Sequence, residues 1–192
     1  MKLIFATTNS GKLAEATRVA ERCGVTIIAP PTTIALNVAE IGLSYEENSS
    51  IKALHAMNLL KSSVIADDTG LEIEGLGNLP GLYTARWGLE RLYDYLYPGI
   101  EYKAKFVCSL CFAEARKSAV PRMVFCKAGI CGSFVLPPVR NQQQNSALPF
   151  SYHFFPSDNK SCSISERVKN DLSFLSHRGL AFKTLFKLLE KD

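Results

Sequence analysis

Two adjacent carboxylates, Asp67 and Asp68, stand in the segment VIADDTGLEI, residues 64–73. Val64, Ile65 and Ala66 read as the end of a buried strand, and Thr69 and Gly70 permit a turn directly after the pair. Two ionised carboxylates about 4 Å apart repel by roughly 4 kcal/mol at an effective dielectric near 20, so the pair requires a cation, a shared proton or divergent directions. Successive strand residues face opposite sides, which predicts that the two diverge and do not form one dyad.

Other residues offer chemistry to the same place. ATTNSGKL, residues 6–13, looks like a phosphate loop but fails the P-loop pattern, with Ala6 at its first Gly and Leu13 at its Ser or Thr. A polar loop opening a helix still offers backbone N–H groups and the cation Lys12 to an anion. Helix capping by Ser10 or Asn9, with Lys12 solvated, explains the same residues, and spacing alone leaves both readings open. Glu40, Glu46 and Glu47 can each reach the aspartates, or serve as favourable charges in a first helical turn. In LSHRGLAF, residues 175–182, Ser176 suits an N-cap, while His177 and Arg178 suit an anionic ligand. Asp68-Thr69-Gly70 also matches the triplet of aspartic proteases, whose two carboxylates share a proton. Against that reading, the triplet lies between helical segments and no second DTG or DSG occurs. A plainer alternative is a turn in which Asp68 caps its own backbone.

The elements that position these residues are legible from periodicity. Leu3 to Ala6 form a strand, and Leu13, Ala16, Val19 and Ala20 then recur at helical spacing. VTIIAP is a second strand stopped by Pro30 and Pro31, and a helix from Tyr45 to Lys61 carries Ile51, Leu54, Met57 and Leu60 on one face. Residues 101–115 and 121–137 read as paired long strands of a β-rich second lobe at about 100–140. The Pro-, Gln-, Asn- and Ser-rich segment 137–163 reads as a long, partly mobile loop, and the chain closes with a helix burying Ala181, Leu185 and Leu188. The pattern specifies an α/β or mixed fold in one domain spanning 1–192.

Composition narrows the function. The 192 residues are 47% hydrophobic, ample for a packed core, and the net charge of +4 is spread rather than gathered into a basic stretch, which argues against nucleic acid. No apolar run approaches the roughly 20 residues of a membrane span, and MKLIFATTNSGK turns polar too early for a signal peptide, so a cytoplasmic protein without membrane association is expected. The six cysteines are read as reduced thiols. CSLC at 108–111 has half a zinc-site spacing, but in a strand its cysteines point to opposite faces.

Taken in order, ATTNSGKLAE, EIGLSYEENSSIKALHA, ADDTGLEIEGLGNLPGLYTARW, KAKFVCSLCFA and LSHRGLA resemble the Ham1-like inosine triphosphate pyrophosphatase family. The match runs in register from about residue 2 to 189, with a shortened stretch after Trp87 and a poor fit over 137–172. The resemblance implies an elongated α/β fold whose two lobes flank a nucleotide-binding cleft, often as a homodimer. It also implies magnesium-dependent hydrolysis of deaminated purine triphosphates, such as those of inosine and xanthosine, to the monophosphate and pyrophosphate. Carried over residue by residue, triphosphate contacts fall on Thr7, Thr8, Asn9, Ser10, Gly11 and Lys12, and metal ligation on Glu40 and Asp68, with Asp68 also the general base, which leaves Asp67 as a second ligand through water or a structural acceptor for the turn at Thr69 and Gly70. Thr69 stands where the family has a substrate-contacting Ser, and His177 and Arg178 would bind near the base.

Departures concern the base. A Phe-Gly-Tyr-Asp element that encloses the purine reads here Phe150-Ser151-Tyr152-His153. A family lysine four residues before Ser176 falls on Leu172, with Lys169 almost one helical turn earlier. Phosphate and metal groups are kept while base-reading groups differ, so an active hydrolase with altered base preference is expected. The alternatives are a nucleotide-binding pseudoenzyme and, third, a DTG-type protease.

Overall fold

The computed structural model describes residues 1–116, 120–138 and 149–190. It is a mixed α/β fold with a seven-stranded sheet. The strands are β1 (Lys2–Phe5), β2 (Thr26–Ile28), β3 (Val64–Ile73), β4 (Pro80–Gly81), β5 (Glu101–Glu114), β6 (Arg122–Val135) and β7 (Phe154–Pro156). The helices are α1 (Ser10–Arg22), α2 (Tyr45–Leu60), α3 (Thr84–Trp87), α4 (Ile164–Asn170) and α5 (His177–Leu189). The sheet runs β2-β1-β3-β5-β6-β7, with β4 paired to β3. β1 pairs in parallel with β2 and β3, whereas β3–β4 and β6–β7 are antiparallel. No helix among the described residues is long and apolar enough to cross a membrane.

The chain divides into two compact units, residues 1–68, 108–128 and 178–192, and residues 69–107 and 129–177. In the first unit, α1 is capped by Asn9, whose Oδ1 accepts the Lys12 backbone N–H at 3.0 Å. Its buried face, Ala16, Val19 and Ala20, is the one that periodicity predicts. α2 differs. Beyond Tyr45, its fully buried residues are small or polar, Asn48, Ser49, Ala53 and Ala56, while Ile51, Leu54, Met57 and Leu60 are partly buried, Met57 and Leu60 packing against the core. Ala53 and Ala56 pack with Val64, Ala66, Cys111 and Ala113, all small, and small side chains let a helix backbone come close to a sheet. α5 buries Ala181, Phe182, Leu185 and Phe186, with Phe182 edge-on to Phe5 at 5.1 Å, but Leu188 in its last turn is exposed.

The second unit has its own core, in which Leu71, Ile73, Phe106, Phe134, Leu136 and Phe154 are buried together. β5 is buried on both faces from Phe106 to Ala113, the near-continuous apolar reading of a central strand, with Phe106 and Val107 in the second unit and Cys108 to Ala113 in the first. Cys108 and Cys111 lie within that run, and none of the six cysteines is in a disulfide. Burial pushes the Cys111 thiol up to about 12.

Two expectations are corrected. Thr69 and Gly70 make no turn: β3 continues through them because Leu71 and Ile73 beyond are core residues that draw the strand onward. The segment read as one long loop holds a 3₁₀ turn at Pro149–Tyr152 and the strand β7, whose Phe154 and Pro156 are buried; its residues 139–148 lie outside the described residues.

Candidate active site

In the first unit a loop of four residues joins β1 to α1 and is pinned at its start. Ala6 N–H donates to Ile65 O at 2.7 Å, and Asn9 N–H donates to Thr7 Oγ1 at 3.2 Å. Thr8 and Ser10 face solvent. Both readings of this loop left open by spacing meet here: Asn9 is the cap, yet Lys12 is no solvated bystander. Its Nζ lies 3.0 Å from Asp67 Oδ2 and 3.1 Å from Oδ1.

Asp67 is buried and also accepts from Arg178 Nε at 3.4 Å, while Arg178 Nη1 donates to Glu15 Oε2 at 2.6 Å. Lys12 and Glu15 are one turn apart on α1, so one helix face presents a cation and an anion to this network. Burial alone would lift the Asp67 carboxyl, but Lys12, Arg178 and Lys52 together outweigh it and hold it well below the usual carboxylate range. Burial likewise opposes charge on Arg178, and Glu15 and Asp67 overcome it, raising the guanidinium further above its ordinary value. Arg178, expected near a ligand, is 1% exposed and engaged by two carboxylates.

Asp68 takes different partners. Its Oδ1 accepts from Lys52 Nζ at 2.9 Å and its Oδ2 from Asn48 Nδ2 at 3.2 Å. The same ammonium lies 3.0 Å from Glu40 Oε1. Glu40 and Asp68, the pair expected to act together, thus meet on Lys52. Burial is the largest influence on Asp68 and lifts its carboxyl above the ordinary value, against the pull of Lys52 and Asn48. For Lys52, burial opposes the charge, but Asp67, Asp68 and Glu40 jointly hold the ammonium above its ordinary value.

The two aspartates therefore diverge as alternation along β3 requires, Asp67 contacting Lys12 and Arg178 and Asp68 contacting Lys52. They are not a proton-sharing dyad, and Asp67 serves an ion network rather than a turn.

Lys52 and Asn48 are site residues that sequence reasoning missed. The signal was present: two polar residues four apart share a helix face, and here that face is the buried one. Asn48 also seats the segment bearing Glu40, since its Oδ1 accepts Gly42 N–H at 2.8 Å. A Cβ on Gly42 would stand 2.7 Å from that oxygen and 2.9 Å from the Asn48 backbone nitrogen, so only glycine fits. Glu46 and Glu47 are placed elsewhere. Glu46 pairs with Lys127 at 3.0 Å, and Glu47 accepts Leu43 N–H at 2.7 Å beside the Ser44 cap.

The remaining predicted residues belong to the second unit. Thr69 continues β3. Phe150 and Ser151 are buried, Tyr152 is exposed, and His153 meets the Phe134 ring edge-on at 6.4 Å. Burial lowers the His153 pKa, favouring neutral imidazole. Lys169 Nζ stands 3.4 Å from Tyr152 Oη and 5.3 Å from the centre of its ring, whereas Leu172 is 67% exposed. His177 is buried and stacked on Phe106, with ring centres 4.7 Å apart.

The chain belongs to the Ham1 family, whose model matches residues 3–188. It is 31% identical to a dITP/XTP pyrophosphatase of Shigella flexneri over 202 residues, covering 98% of each chain. A dITP/XTP pyrophosphatase of Shewanella oneidensis is 29% identical over 99% of this chain and 94% of its own. Among solved structures, the Ham1 protein of Staphylococcus aureus superposes with a TM-score of 0.72 at 22% identity, over 100% of this chain and 99% of that one. That similarity shows the same fold.

Proposed function

We propose that this chain is a magnesium-dependent pyrophosphatase of nucleoside triphosphates with non-standard purine bases, working as a cytoplasmic homodimer. Its relatives' names support the reaction. The observation that carries the site is the convergence of Glu40 and Asp68 on one cation, because two carboxylate oxygens are what Mg²⁺ takes from a protein when phosphates and water complete its shell. The donor set is hard oxygen throughout and fits the ion. Bound there, Mg²⁺ would neutralise charge developing on the pyrophosphate leaving group. Asp68 takes a proton from water as the water oxygen bonds to one phosphorus of the α–β anhydride and the bridging bond breaks. Thr7 to Lys12, at the start of α1, hold the triphosphate.

A panel of inosine, xanthosine, guanosine, adenosine and pyrimidine triphosphates, followed by pyrophosphate release, tests the reading. Turnover of the deaminated purines is expected with magnesium and is lost with EDTA. A folded protein that turns over no triphosphate but binds one by calorimetry is a pseudoenzyme, and activity indifferent to EDTA removes the metal.

Two features of the second unit support an altered base preference. Neutral His153 both donates and accepts a hydrogen bond, where the family's Asp only accepts. Lys169, steadied on Tyr152, offers a donor in place of the one absent at Leu172. Lys169→Ala is expected to narrow the ratio of kcat/KM between inosine and adenosine triphosphates by about tenfold, the worth of roughly one hydrogen bond to a charged group. An unchanged ratio removes Lys169 from base reading.

A further inference from the structure

The ammonium of Lys52 is placed where the proposed metal's charge is needed. We propose that Lys52 is a resident cation that keeps the Glu40–Asp68 pair closed to a bare divalent metal and releases it when a triphosphate arrives. The proposal rests on the metal-ligand reading of that pair.

Three observations carry it. Lys52 Nζ lies 3.0 Å from Glu40 Oε1 and 2.9 Å from Asp68 Oδ1, so it claims an oxygen of each carboxylate. Its side chain is largely buried, and Asn48, one turn earlier on α2, holds the other oxygen of Asp68. Finally, among the described residues no three His, Cys, Asp or Glu side chains gather to hold a metal, so this part of the protein offers too few ligands to repay displacing the ammonium.

A triphosphate changes both sides of that balance. Its oxygens complete the shell of an ion that prefers to keep phosphate and water ligands. Its negative charge also gives the ammonium somewhere else to go, and a lysine head on a flexible four-carbon stem can follow it. Metal and nucleotide then bind synergistically, and by linkage each raises the other's affinity by the same factor. In the absence of substrate the carboxylates stay paired and preorganised instead of repelling one another.

The test titrates Mn²⁺ alone into the full chain and reads free Mn²⁺ by electron paramagnetic resonance. Lys52→Met is expected to bind Mn²⁺ at least tenfold more tightly than wild type, and the gain should vanish in Lys52→Met/Glu40→Gln. A Lys52→Met protein that binds no more tightly than wild type overturns the lock and leaves the ligand reading standing. A gain that survives Glu40→Gln overturns the ligand reading itself. Should Lys52→Met fail to fold, wild type decides: uptake of one equivalent of Mn²⁺ without nucleotide, lost in Glu40→Gln, overturns the proposal; no uptake alone but uptake with a non-hydrolysable triphosphate, lost in Glu40→Gln, supports it; and no uptake in either case overturns the ligand reading.

Discussion

Asp68→Asn is expected to lower kcat by a factor of about 10²–10⁴, the range that a positioned general base contributes. The change keeps the side-chain shape and one acceptor oxygen, at the loss of the hydrogen bond from either Asn48 or Lys52, but it removes the basic carboxylate that accepts water's proton. The sign of the pH effect follows from burial, which raises the Asp68 carboxyl above its ordinary value of 3.8. The ionised form is the working one, so kcat/KM in the wild type should fall as pH drops through that raised value, earlier than for a solvated aspartate. Stability runs the other way. A carboxyl whose pKa is raised by folding contributes fully below 3.8 and loses its contribution as pH rises through the folded value. A neutral asparagine escapes that loss, so a dead variant should remain folded by circular dichroism. Retention of kcat within twofold takes Asp68 out of the mechanism.

Arg178→Leu is expected to cost stability rather than chemistry, by about 3–5 kcal/mol, because it strips a guanidinium from two buried carboxylates. For a chain of this size that corresponds to a fall in Tm of about 6–20 °C. Asp67 sets the pH signature. Its pKa is depressed by folding, so its contribution is present above 3.8 and is lost as pH falls through the lower folded value. Without Arg178 the depression shrinks, and acid unfolding should begin at higher pH than in wild type. Urea titrations across acid pH measure both. A variant as stable as wild type but impaired in KM would return Arg178 to the substrate, where the family resemblance places it.

These two residues also mark what sequence reading reaches. The strand, polar loop and helix of residues 2–22 were legible because period and capping are local properties, and Asn9 and Lys12 were found with them. The divergence of Asp67 and Asp68 was legible because strand alternation is geometric. Partners were not. Arg178 and Glu15 are 163 residues apart, and no local pattern couples them. The face of α2 was legible in part: Met57 and Leu60 pack on the core, but close approach to the sheet selects Ser49, Ala53 and Ala56 for full burial, with Asn48 buried and Lys52 partly buried beside them. The turn after Asp68 was misjudged for a related reason. Thr69 and Gly70 permit a turn, but Leu71 and Ile73 require a strand, and burial of the latter outweighs the licence of the former.

Asn48 spans two jobs with one planar group. Its Nδ2 donates to Asp68 and its Oδ1 accepts from Gly42 N–H, so the orientation of the amide is dictated from both ends and cannot flip without breaking both bonds. The backbone proton of Gly42 is thereby wired to the reactive carboxylate through a single side chain. Its amide resonance becomes a built-in reporter: whatever Asp68 exchanges, whether a proton, a lysine or a ligand, is felt at a glycine that takes no part in the chemistry.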